Sequence, residues 1–220
     1  MERLIASVAP HICVACGSEG AVLCDWCLVD YVVPVPARCY NCMVYSADGK
    51  VCVACRRKSR IGHVWVRTDY DAAAKALIYV YKFGRKQAAA GPVARLMGQA
   101  LPFIRPGTIV THVPTASRRV RQRGYDHAQL VAQELAAQLA LPYRPLLRRV
   151  TQTRQVGAKR SVRLEQMKHA FVCVGTRVPK TKVLLVDDLV TTGATLEAAA
   201  AQLRSAGAQR VDAVVFAQKR

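Results

Sequence analysis

The stretch KVLLVDDLVTTGAT, from Lys182 to Thr195, decides the fold of this 220-residue chain. An apolar run leads into two adjacent carboxylates, Asp187 and Asp188, and a segment rich in threonine and glycine follows them. A short apolar run that ends in polar residues predicts a buried strand, and the residues after Thr195 have a helical pattern. The segment from Thr191 to Thr195, here termed the threonine turn, therefore joins a strand to a helix.

The same succession of strand and helix recurs through most of the chain. Strand patterns cover residues 63–70, 108–114, 145–150, 182–188 and 211–218, and helical patterns cover residues 71–84, 87–102, 124–142, 160–171 and 195–207. This alternation predicts an α/β fold in which helices cover both faces of a mostly parallel sheet. Ligands of such sheets bind beyond the carboxyl ends of the strands, where Asp187 and Asp188 are expected to lie.

Eight of the nine cysteines occur as four Cys-x-x-Cys pairs near the amino terminus. The pairs are Cys13/Cys16, Cys24/Cys27, Cys39/Cys42 and Cys52/Cys55. Two pairs supply the four thiolates of a structural zinc site, so eight cysteines suffice for two Zn²⁺ ions. Sequential use of the pairs closes short loops and is preferred to an interleaved arrangement, while an iron–sulfur cluster is the alternative for the same ligands. Residues 1–58 are therefore predicted to form a zinc-binding module, and residues 59–220 a second domain.

The charge of the chain points to an anionic partner. Lys and Arg outnumber Asp and Glu by 33 to 14, which gives a formal net charge of +19. Such a surplus favours phosphates or nucleic acid as partners, with a generally basic composition as the alternative. The sequence lacks both an apolar run of about 20 residues and a recognisable signal peptide. We therefore expect a cytoplasmic protein without a membrane span.

The threonine turn has the chemistry of an anion site. Backbone N–H groups at the start of a helix are unpaired and lie at the positive end of the helix dipole. Gly193 lets a ligand approach the backbone closely, and the threonine hydroxyls add donors for phosphate oxygens. Carboxylates such as Asp187 and Asp188 accept hydrogen bonds from a sugar diol, so the stretch predicts a site for a ribose 5-phosphate.

The stretch allows two other interpretations. The first is an ordinary strand end with Thr195 as the N-cap of the following helix. The second is a Walker B strand that holds magnesium in an ATPase, and it fails because the chain has no GxxxxGK[ST] motif.

At these residues the sequence resembles the type I phosphoribosyltransferase family, whose motif joins four apolar residues, two acidic residues and a threonine-glycine turn. The resemblance implies that Asp187 and Asp188, the catalytic candidates, bind the ribose hydroxyls of phosphoribosyl pyrophosphate. It also implies a Mg²⁺ ion that bridges ribose and pyrophosphate oxygens. The residues that would bind the 5-phosphate are Thr191, Thr192, Gly193, Ala194 and Thr195.

Over nearly its whole length the chain resembles the ComF-type (GntX-like) subfamily, which joins a double zinc ribbon to a phosphoribosyltransferase-like domain. The resemblance rests on the four cysteine pairs, YKFG at 81–84, VPTASRRVRQRGYDHAQLVAQELA at 113–136 and RLEQMKHAF at 163–171. It implies a link to DNA uptake and natural transformation, with competence-machinery proteins as partners. Asp126 and His127 stand where the subfamily usually has Asn-Gln, and Gln166 stands where it has Asn.

Arginines crowd the segment from Pro114 to Gly124, here termed the arginine segment. Its four guanidinium groups can clamp a pyrophosphate or follow a nucleic-acid backbone, and a solvated loop is the alternative. The family resemblance places the pyrophosphate loop here. The substrate-binding candidates in it are Thr115, Ala116, Ser117 and Arg118.

The sequence allows more than one interpretation of several other basic and histidine residues. Lys82 is expected to face the same pocket, unless it only extends its amine into solvent at a helix end. The basic segment from Arg148 to Arg163 is predicted to close over substrate or to remain an exposed loop. His112 and His127 flank the arginine segment, and neither is assigned a proton-transfer role because a lone histidine is usually structural.

Two function classes follow from these patterns. The first is an enzyme that transfers a phosphoribosyl group from phosphoribosyl pyrophosphate with Mg²⁺ to an unidentified acceptor. The alternative is a non-catalytic competence factor that keeps the fold and binds single-stranded DNA or other nucleic acid, because a fold alone does not establish activity.

Overall fold

The computed structural model describes residues 12–13, 15–83, 87–150, 170–175 and 178–219. Gly84 and Arg85, most of the basic segment from Arg148 to Arg163 and most of the predicted helix at 160–171 lie outside the described residues. Within the described ranges, no helix combines the length and the apolar character that crossing a membrane requires.

Six strands and seven helices span the described residues. The strands are β1 (Val64–Asp69), β2 (Ile109–His112), β3 (Leu147–Arg149), β4 (Phe171–Cys173), β5 (Lys182–Val190) and β6 (Arg210–Gln218). The helices are α1 (Asp25–Tyr31), α2 (Val53–Arg56), α3 (Ala72–Phe83), α4 (Ala90–Gln99), α5 (Ser117–Arg123), α6 (His127–Gln138) and α7 (Ala194–Ser205). Short 3-10 turns occupy Ala47–Gly49 and Gln87–Ala89.

The central sheet has four parallel strands in the order β1-β6-β5-β2. In the register of β2 on β5, His112 lies opposite Val186, so the segments that follow these two strands emerge at the same edge of the sheet. β3 and β4 form a separate antiparallel pair. This arrangement is the predicted α/β fold with a parallel sheet.

Alternate residues of the sheet point into two hydrophobic cores. On one face, Leu184, Val186, Val214 and Phe216 pack with buried residues of α3, α4 and α6. On the other face, the neighbouring residues of β5 and β6 pack with α7 and with the β3–β4 pair. Because both faces of the sheet are covered, its strands are nearly continuous apolar runs.

The two groups of cysteines contribute to different cores. Cysteine cluster 1 is Cys13, Cys16, Cys24 and Cys27, and cysteine cluster 2 is Cys39, Cys42, Cys52 and Cys55. Cys13 and Cys27, with Leu28 of α1, join the core that contains α4 and α6. Cys39 and Tyr40 join the core that contains α7. The cysteine clusters therefore pack against opposite faces of the sheet.

Local structure differs from the expectation at three places. The arginine segment is not a loop, since its residues from Ser117 to Arg123 form α5. β5 continues two residues past the aspartates to Val190 because its end pairs with β6 as far as Gln218. The predicted helix at 160–171 is wrong at its end, where Phe171 starts a strand that pairs with Arg149.

Candidate functional site

The aspartates and the arginine segment meet at one edge of the sheet. β2 and β5 are neighbours, and the backbone N–H of Val113 donates to Val186 O at 2.9 Å just before the aspartates. Thr115 follows directly and begins the arginine segment. Parallel pairing of β2 and β5 therefore brings the two motifs together.

Asp188 is the buried anion of the site. It is 9% exposed, and its Oδ2 contacts Lys82 Nζ and lies 3.3 Å from His127 Nε2. Burial alone would raise the pKa of Asp188, but the contacts with His127 and Lys82 outweigh it and lower that pKa. Lys82 was expected to face this pocket, and the structure places it on the carboxylate.

Asp187 behaves in the opposite way although it is the next residue. Its Oδ1 accepts a hydrogen bond from the backbone N–H of Asp188 at 2.9 Å. Burial, and then the negative charge of Asp188, raise the pKa of Asp187 well above its usual range. A carboxyl group with a strongly shifted pKa beside a buried anion is typical of a functional site rather than of a simple strand end.

His127 connects Asp188 to the arginine segment. Its Nδ1 lies 3.0 Å from Arg123 Nη1 and 3.2 Å from Thr115 Oγ1. Because a guanidinium only donates, Nδ1 accepts from Arg123 and the proton of the ring faces Asp188 from Nε2. The ring is buried and packs edge-on against Tyr81, with ring centroids 5.4 Å apart.

Asp126 fixes this network to the start of α6. Its carboxylate caps the helix by accepting from Ala128 N at 3.1 Å, and it also accepts from Thr115 N at 2.9 Å and Thr115 Oγ1 at 2.8 Å. His112 Nε2 lies 3.7 Å from the same carboxylate, and Tyr143 OH lies 2.9 Å from His112 Nδ1. The backbone N–H of Thr115, a predicted ligand donor, is thus engaged within the protein.

The other predicted residues of the arginine segment lie farther along it. Ala116 is the N-cap of α5, and Ser117 is its first residue. Arg118, Arg119 and Arg121 are exposed on α5, whereas Arg123 is half-buried and contacts His127. Sequence reasoning missed His127 and Asp126, because the predicted helix began at Gly124 and so did not mark Asp126 as the N-cap that it is.

A cleft opens beside Asp188 between α3 and α5. Its volume is about 650 Å³, and Lys82 forms part of its wall. The other charged and aromatic residues that line it are Tyr70, Lys75, Tyr79, Arg119 and Arg123. This concentration of cations next to the aspartates suits a negatively charged ligand group.

The threonine turn is placed as predicted between β5 and α7. Gly193 has a φ of +74° and is the N-cap of α7, so it adopts a conformation that favours glycine. Thr191 and Thr192 are exposed, and Thr195 is half-buried. The backbone N–H of Ala194 lies 3.5 Å from Thr192 Oγ1, which leaves it with a weak internal partner.

Residues near cysteine cluster 2 cover the other side of this turn. A Cβ at Gly193 would stand 2.2 Å from Cε2 of Tyr40. The hydroxyls of Tyr40 and Ser59 both donate to Glu197 Oε1, and Arg60 N donates to Glu197 Oε2 at 2.9 Å. The start of α7 is therefore held by residues that sequence reasoning had not connected with it.

Each cysteine cluster has the dimensions of a four-thiolate metal site. Its four sulfur atoms all lie within 4.8 Å of one another, with 3.7 Å between Cys16 and Cys24 and 3.6 Å between Cys42 and Cys52. Zinc–sulfur bonds of about 2.3 Å place the sulfurs of a tetrahedron about 3.8 Å apart. The grouping is sequential along the chain, and the donor set fits zinc.

In each cluster, the surroundings of one thiol favour its ionised form, the thiolate. Burial opposes ionisation of Cys13, but backbone N–H groups, first that of Cys24, lower its pKa to about 6. Burial likewise opposes ionisation of Cys39, and backbone hydrogen bonds led by that of Cys52 lower its pKa to about 7. Thiolates are the form that binds metal.

Known proteins are similar to the carboxyl-terminal part of the chain and, in one case, to most of it. Residues 126–220 match the phosphoribosyl transferase domain family. Competence protein F of Haemophilus influenzae is 34% identical over 103 residues, which are 45% of this chain and 45% of that protein. Competence protein ComFC of Streptococcus pneumoniae is 26% identical over 197 residues, which are 88% of this chain and 86% of that protein.

Two solved structures are also similar. The allosteric regulatory enzyme of purine biosynthesis aligns with a TM-score of 0.46 at 19% identity, over 63% of this chain and 30% of that chain. The glutamine phosphoribosylpyrophosphate amidotransferase of B. subtilis, complexed with ADP and GMP, aligns with a TM-score of 0.44 at the same identity and coverage.

Proposed function

Because the chain carries a phosphoribosyl transferase domain and is related to competence proteins, we propose that it binds phosphoribosyl pyrophosphate with Mg²⁺ at the carboxyl edge of β2 and β5. One observation carries the proposal. Asp187 and Asp188 lie directly before a threonine turn that opens α7, and Lys82 and His127 converge on Asp188.

The two aspartates recognise the ribose of the ligand. Ionised carboxylates accept hydrogen bonds from a sugar diol, and Asp188 is held in that form by Lys82 and His127. Its position is fixed by His127, the first residue of α6, whose Nδ1 accepts from Arg123 and whose Nε2 faces Asp188. The site is thus preorganised before the ligand arrives.

The threonine turn receives the 5-phosphate. Exposed Thr191 and Thr192 offer hydroxyl and backbone donors, and the turn lies at the positive end of the dipole of α7. Tyr40 covers Gly193 on its other side, so the phosphate approaches from the side of Thr191 and Thr192. This geometry keeps the anion apart from Asp187 and Asp188.

The cationic cleft next to Asp188 receives the pyrophosphate. Lys82 belongs both to its wall and to the ion pair with Asp188, and Arg119 and Arg123 line it as well. Asp187 and Asp188 fit a divalent cation next to this cleft, because carboxylate oxygens are the protein ligands that Mg²⁺ usually takes. Bound Mg²⁺ would supply charge neutralisation for the pyrophosphate oxygens.

Transfer of the phosphoribosyl group, if the acceptor binds in the same cleft, rests on charge stabilisation. Carboxylates of this chain near the ribose stabilise positive charge that develops at the sugar carbon. His127 acts on Asp188 as a positioning residue, because its Nε2–H faces that carboxylate and its Nδ1 is held by Arg123.

A second function is a role in DNA uptake with single-stranded DNA as ligand. Arg118, Arg119 and Arg121 are exposed along one short helix of a chain whose net charge is +19. Exposed arginines of this kind bind phosphates without reading sequence. The two functions are compatible, and competence-machinery proteins are the partners that the relatives suggest.

The cysteine clusters are proposed to hold two structural Zn²⁺ ions. Four thiolates would fill all four positions of a tetrahedral Zn²⁺ ion, which is the ligand set of a closed structural site rather than of a catalytic one. Residues 1–58 would then be a zinc module that packs on the phosphoribosyltransferase-like domain of residues 59–220.

Calorimetry with phosphoribosyl pyrophosphate and Mg²⁺ tests the proposed function. The native chain is expected to bind, and the double variant Asp187→Asn/Asp188→Asn is expected to lose binding because the diol acceptors are gone. Asp212→Asn is the matched control, since this aspartate is partly buried at the opposite end of β6 and pairs with His63 and Arg210. Equal binding by the native chain and the double variant would refute the proposal.

A further inference from the structure

A second cavity lies against β1, outside the residues of the candidate site. Its volume is about 460 Å³. β1 is an edge strand of the sheet, and the opposite walls are residues 34–38, which join the two cysteine clusters, and residues 99–102, which follow α4. None of the proposed phosphoribosyl contacts lines it.

Two side chains from one face of β1 line this cavity and carry buried donors. Trp65 and Arg67 are two residues apart, so they point to the same side of the strand, and both line the cavity. Among the described residues, Trp65 Nε1 and Arg67 Nε and Nη1 are buried without a hydrogen-bond partner. Arg67 Nη2 lies 3.5 Å from Gln99 Oε1, the limit of a weak hydrogen bond.

A guanidinium group in this position needs an acceptor. Arg67 is only 7% exposed, and within the described residues burial is the sole influence on its pKa, with no contribution from a carboxylate. Burial lowers the pKa of Arg67, but a guanidinium stays charged throughout the range in which proteins are stable. An isolated buried charge is strongly unfavourable, and native proteins pair nearly all of their buried donors. Three unpaired donors around one cavity therefore indicate a missing partner.

We propose that this cavity binds a small oxyanion, a carboxylate or a phosphate monoester, whose oxygens pair with Arg67 and Trp65. The planar guanidinium presents adjacent N–H groups that match two oxygens of such a group. This site is independent of the proposed phosphoribosyl function, and all of its lining residues except Gln218 precede residue 126, where the family match begins.

The remaining walls restrict the rest of the ligand. Asp48 and Asp69 also line the cavity, so a ligand with several negative charges is disfavoured. Arg38 adds one further cation to the lining. The ligand is therefore a compact molecule with a single anionic group and a neutral or cationic remainder, which excludes phosphoribosyl pyrophosphate itself.

Trp65 provides a local signal for the test. The chain has two tryptophans, and Trp26 is 82% exposed, so a Trp26→Phe chain reports on Trp65 alone. Inorganic phosphate and acetate are titrated separately at constant ionic strength. We expect a saturable change in Trp65 fluorescence with at least one of them, and the anion that produces it distinguishes a phosphate from a carboxylate ligand.

Two substitutions at Arg67 make the assignment specific. Arg67→Lys keeps the charge but loses the paired N–H groups, and we expect it to weaken binding about tenfold. Arg67→Met removes the buried charge, so it should abolish the response and raise the melting temperature of the anion-free protein. Arg95→Met is the control, because Arg95 forms an exposed ion pair with Asp25 and should leave the response unchanged.

The Asp187→Asn/Asp188→Asn variant should keep the Trp65 fluorescence response, because these aspartates belong to the phosphoribosyl site and do not line this cavity. The inference is overturned if neither anion changes Trp65 fluorescence, or if Arg67→Lys binds as tightly as the parent chain. It is also overturned if Arg67→Met lowers the melting temperature of the anion-free protein, since Arg67 would then already have its partner.

Discussion

The ring of Tyr40 lies against Gly193, so a residue between two cysteines of cluster 2 contacts the threonine turn. A Cβ at Gly193 would stand 2.2 Å from Tyr40 Cε2, and the Tyr40 hydroxyl donates to Glu197 one turn into α7. The side-chain amide of Gln218 in β6 donates to Tyr40 O at 2.8 Å. Cysteine cluster 2 therefore helps to position the helix whose start forms the proposed phosphate site.

Gly193→Ala is expected to lower the free energy of unfolding by about 3 kcal/mol. The positive φ accounts for about 1–2 kcal/mol, and the overlap with Tyr40 accounts for the rest. In a Tyr40→Ala background the overlap is gone, so the same change should cost only the part due to φ. Urea unfolding of the four chains in a double-mutant cycle measures the difference. Equal losses in both backgrounds would show that Tyr40 does not pack on Gly193.

Asp187→Asn and Asp188→Asn are expected to change stability in opposite directions at neutral pH. Asp188 has a lowered pKa, so its carboxylate stabilises the fold above the pKa of the unfolded chain. Replacing it leaves Lys82 and His127 without their counter-charge, and we expect a loss of about 3 kcal/mol.

The raised pKa of Asp187 has the opposite effect on the stability of the fold. The folded chain keeps this proton to a higher pH than the unfolded chain, so stability falls as pH rises from the ordinary aspartate pKa, about 3.9, to the raised one. Asp187→Asn should remove that decline and stabilise the protein at pH 7. Urea unfolding from pH 4 to pH 8 tests both variants, and shifts of the same sign would contradict the assignment.

The purified protein is expected to contain about two zinc ions per chain, because each cluster offers four thiolates. Elemental analysis measures this, and iron with visible absorbance would instead support an iron–sulfur cluster. Cys16→Ser and Cys42→Ser form a matched pair, since both residues are exposed ligands of different clusters. Each should lose one zinc ion.

Only the cluster 2 variant should affect α7. Because Tyr40 and Ser59 anchor Glu197, Cys42→Ser is expected to speed hydrogen exchange in the first turn of α7, and Cys16→Ser is not. Identical exchange in the two variants would mean that cluster 2 does not support the turn.

DNA binding is expected to fall steeply with salt and to show little preference for sequence. Arg118→Gln/Arg121→Gln should flatten the plot of log affinity against log salt by about 1.4–1.8 units, since each lost phosphate contact removes about 0.7–0.9. These two residues are exposed on α5, whereas Arg123 is left in place because it holds His127.

The control for this measurement is Arg56→Gln/Arg57→Gln, which removes the same charge from the segment next to cluster 2. If only the control flattens the slope, the DNA surface lies near cluster 2. A slope that neither pair changes would remove both surfaces from consideration.

Local patterns predicted the central sheet well. β5 and β6 contain apolar runs with polar ends, and this signal depends on the strand itself. Of the two expectations for Lys82, the structure shows the one in which its side chain faces the aspartates. The chemistry of the threonine turn was visible because it is contained in consecutive residues.

Contacts between distant segments were not predictable in the same way. Tyr40 and Glu197 are 157 residues apart, and nothing near either residue indicates the other. The role of His127 depends on which strands are adjacent, so it looked like a lone histidine. The pattern at 145–150 predicted a strand, but nothing in it indicated that β3 pairs with β4 and not with the central sheet. The helical form of α5 was missed because the family resemblance places the pyrophosphate loop at these residues.

The most direct test of the central claim is a ¹⁵N amide spectrum of the protein recorded with phosphoribosyl pyrophosphate and Mg²⁺. The account predicts large shifts for the amides of Thr191, Thr192 and Gly193 and for those of Asp187 and Asp188. Ribose 5-phosphate should shift the threonine turn with little effect on Arg119 and Arg123, because it lacks the pyrophosphate that the cleft would bind. Shifts confined to α5, or none at the turn, would contradict a phosphoribosyl site at the end of β5.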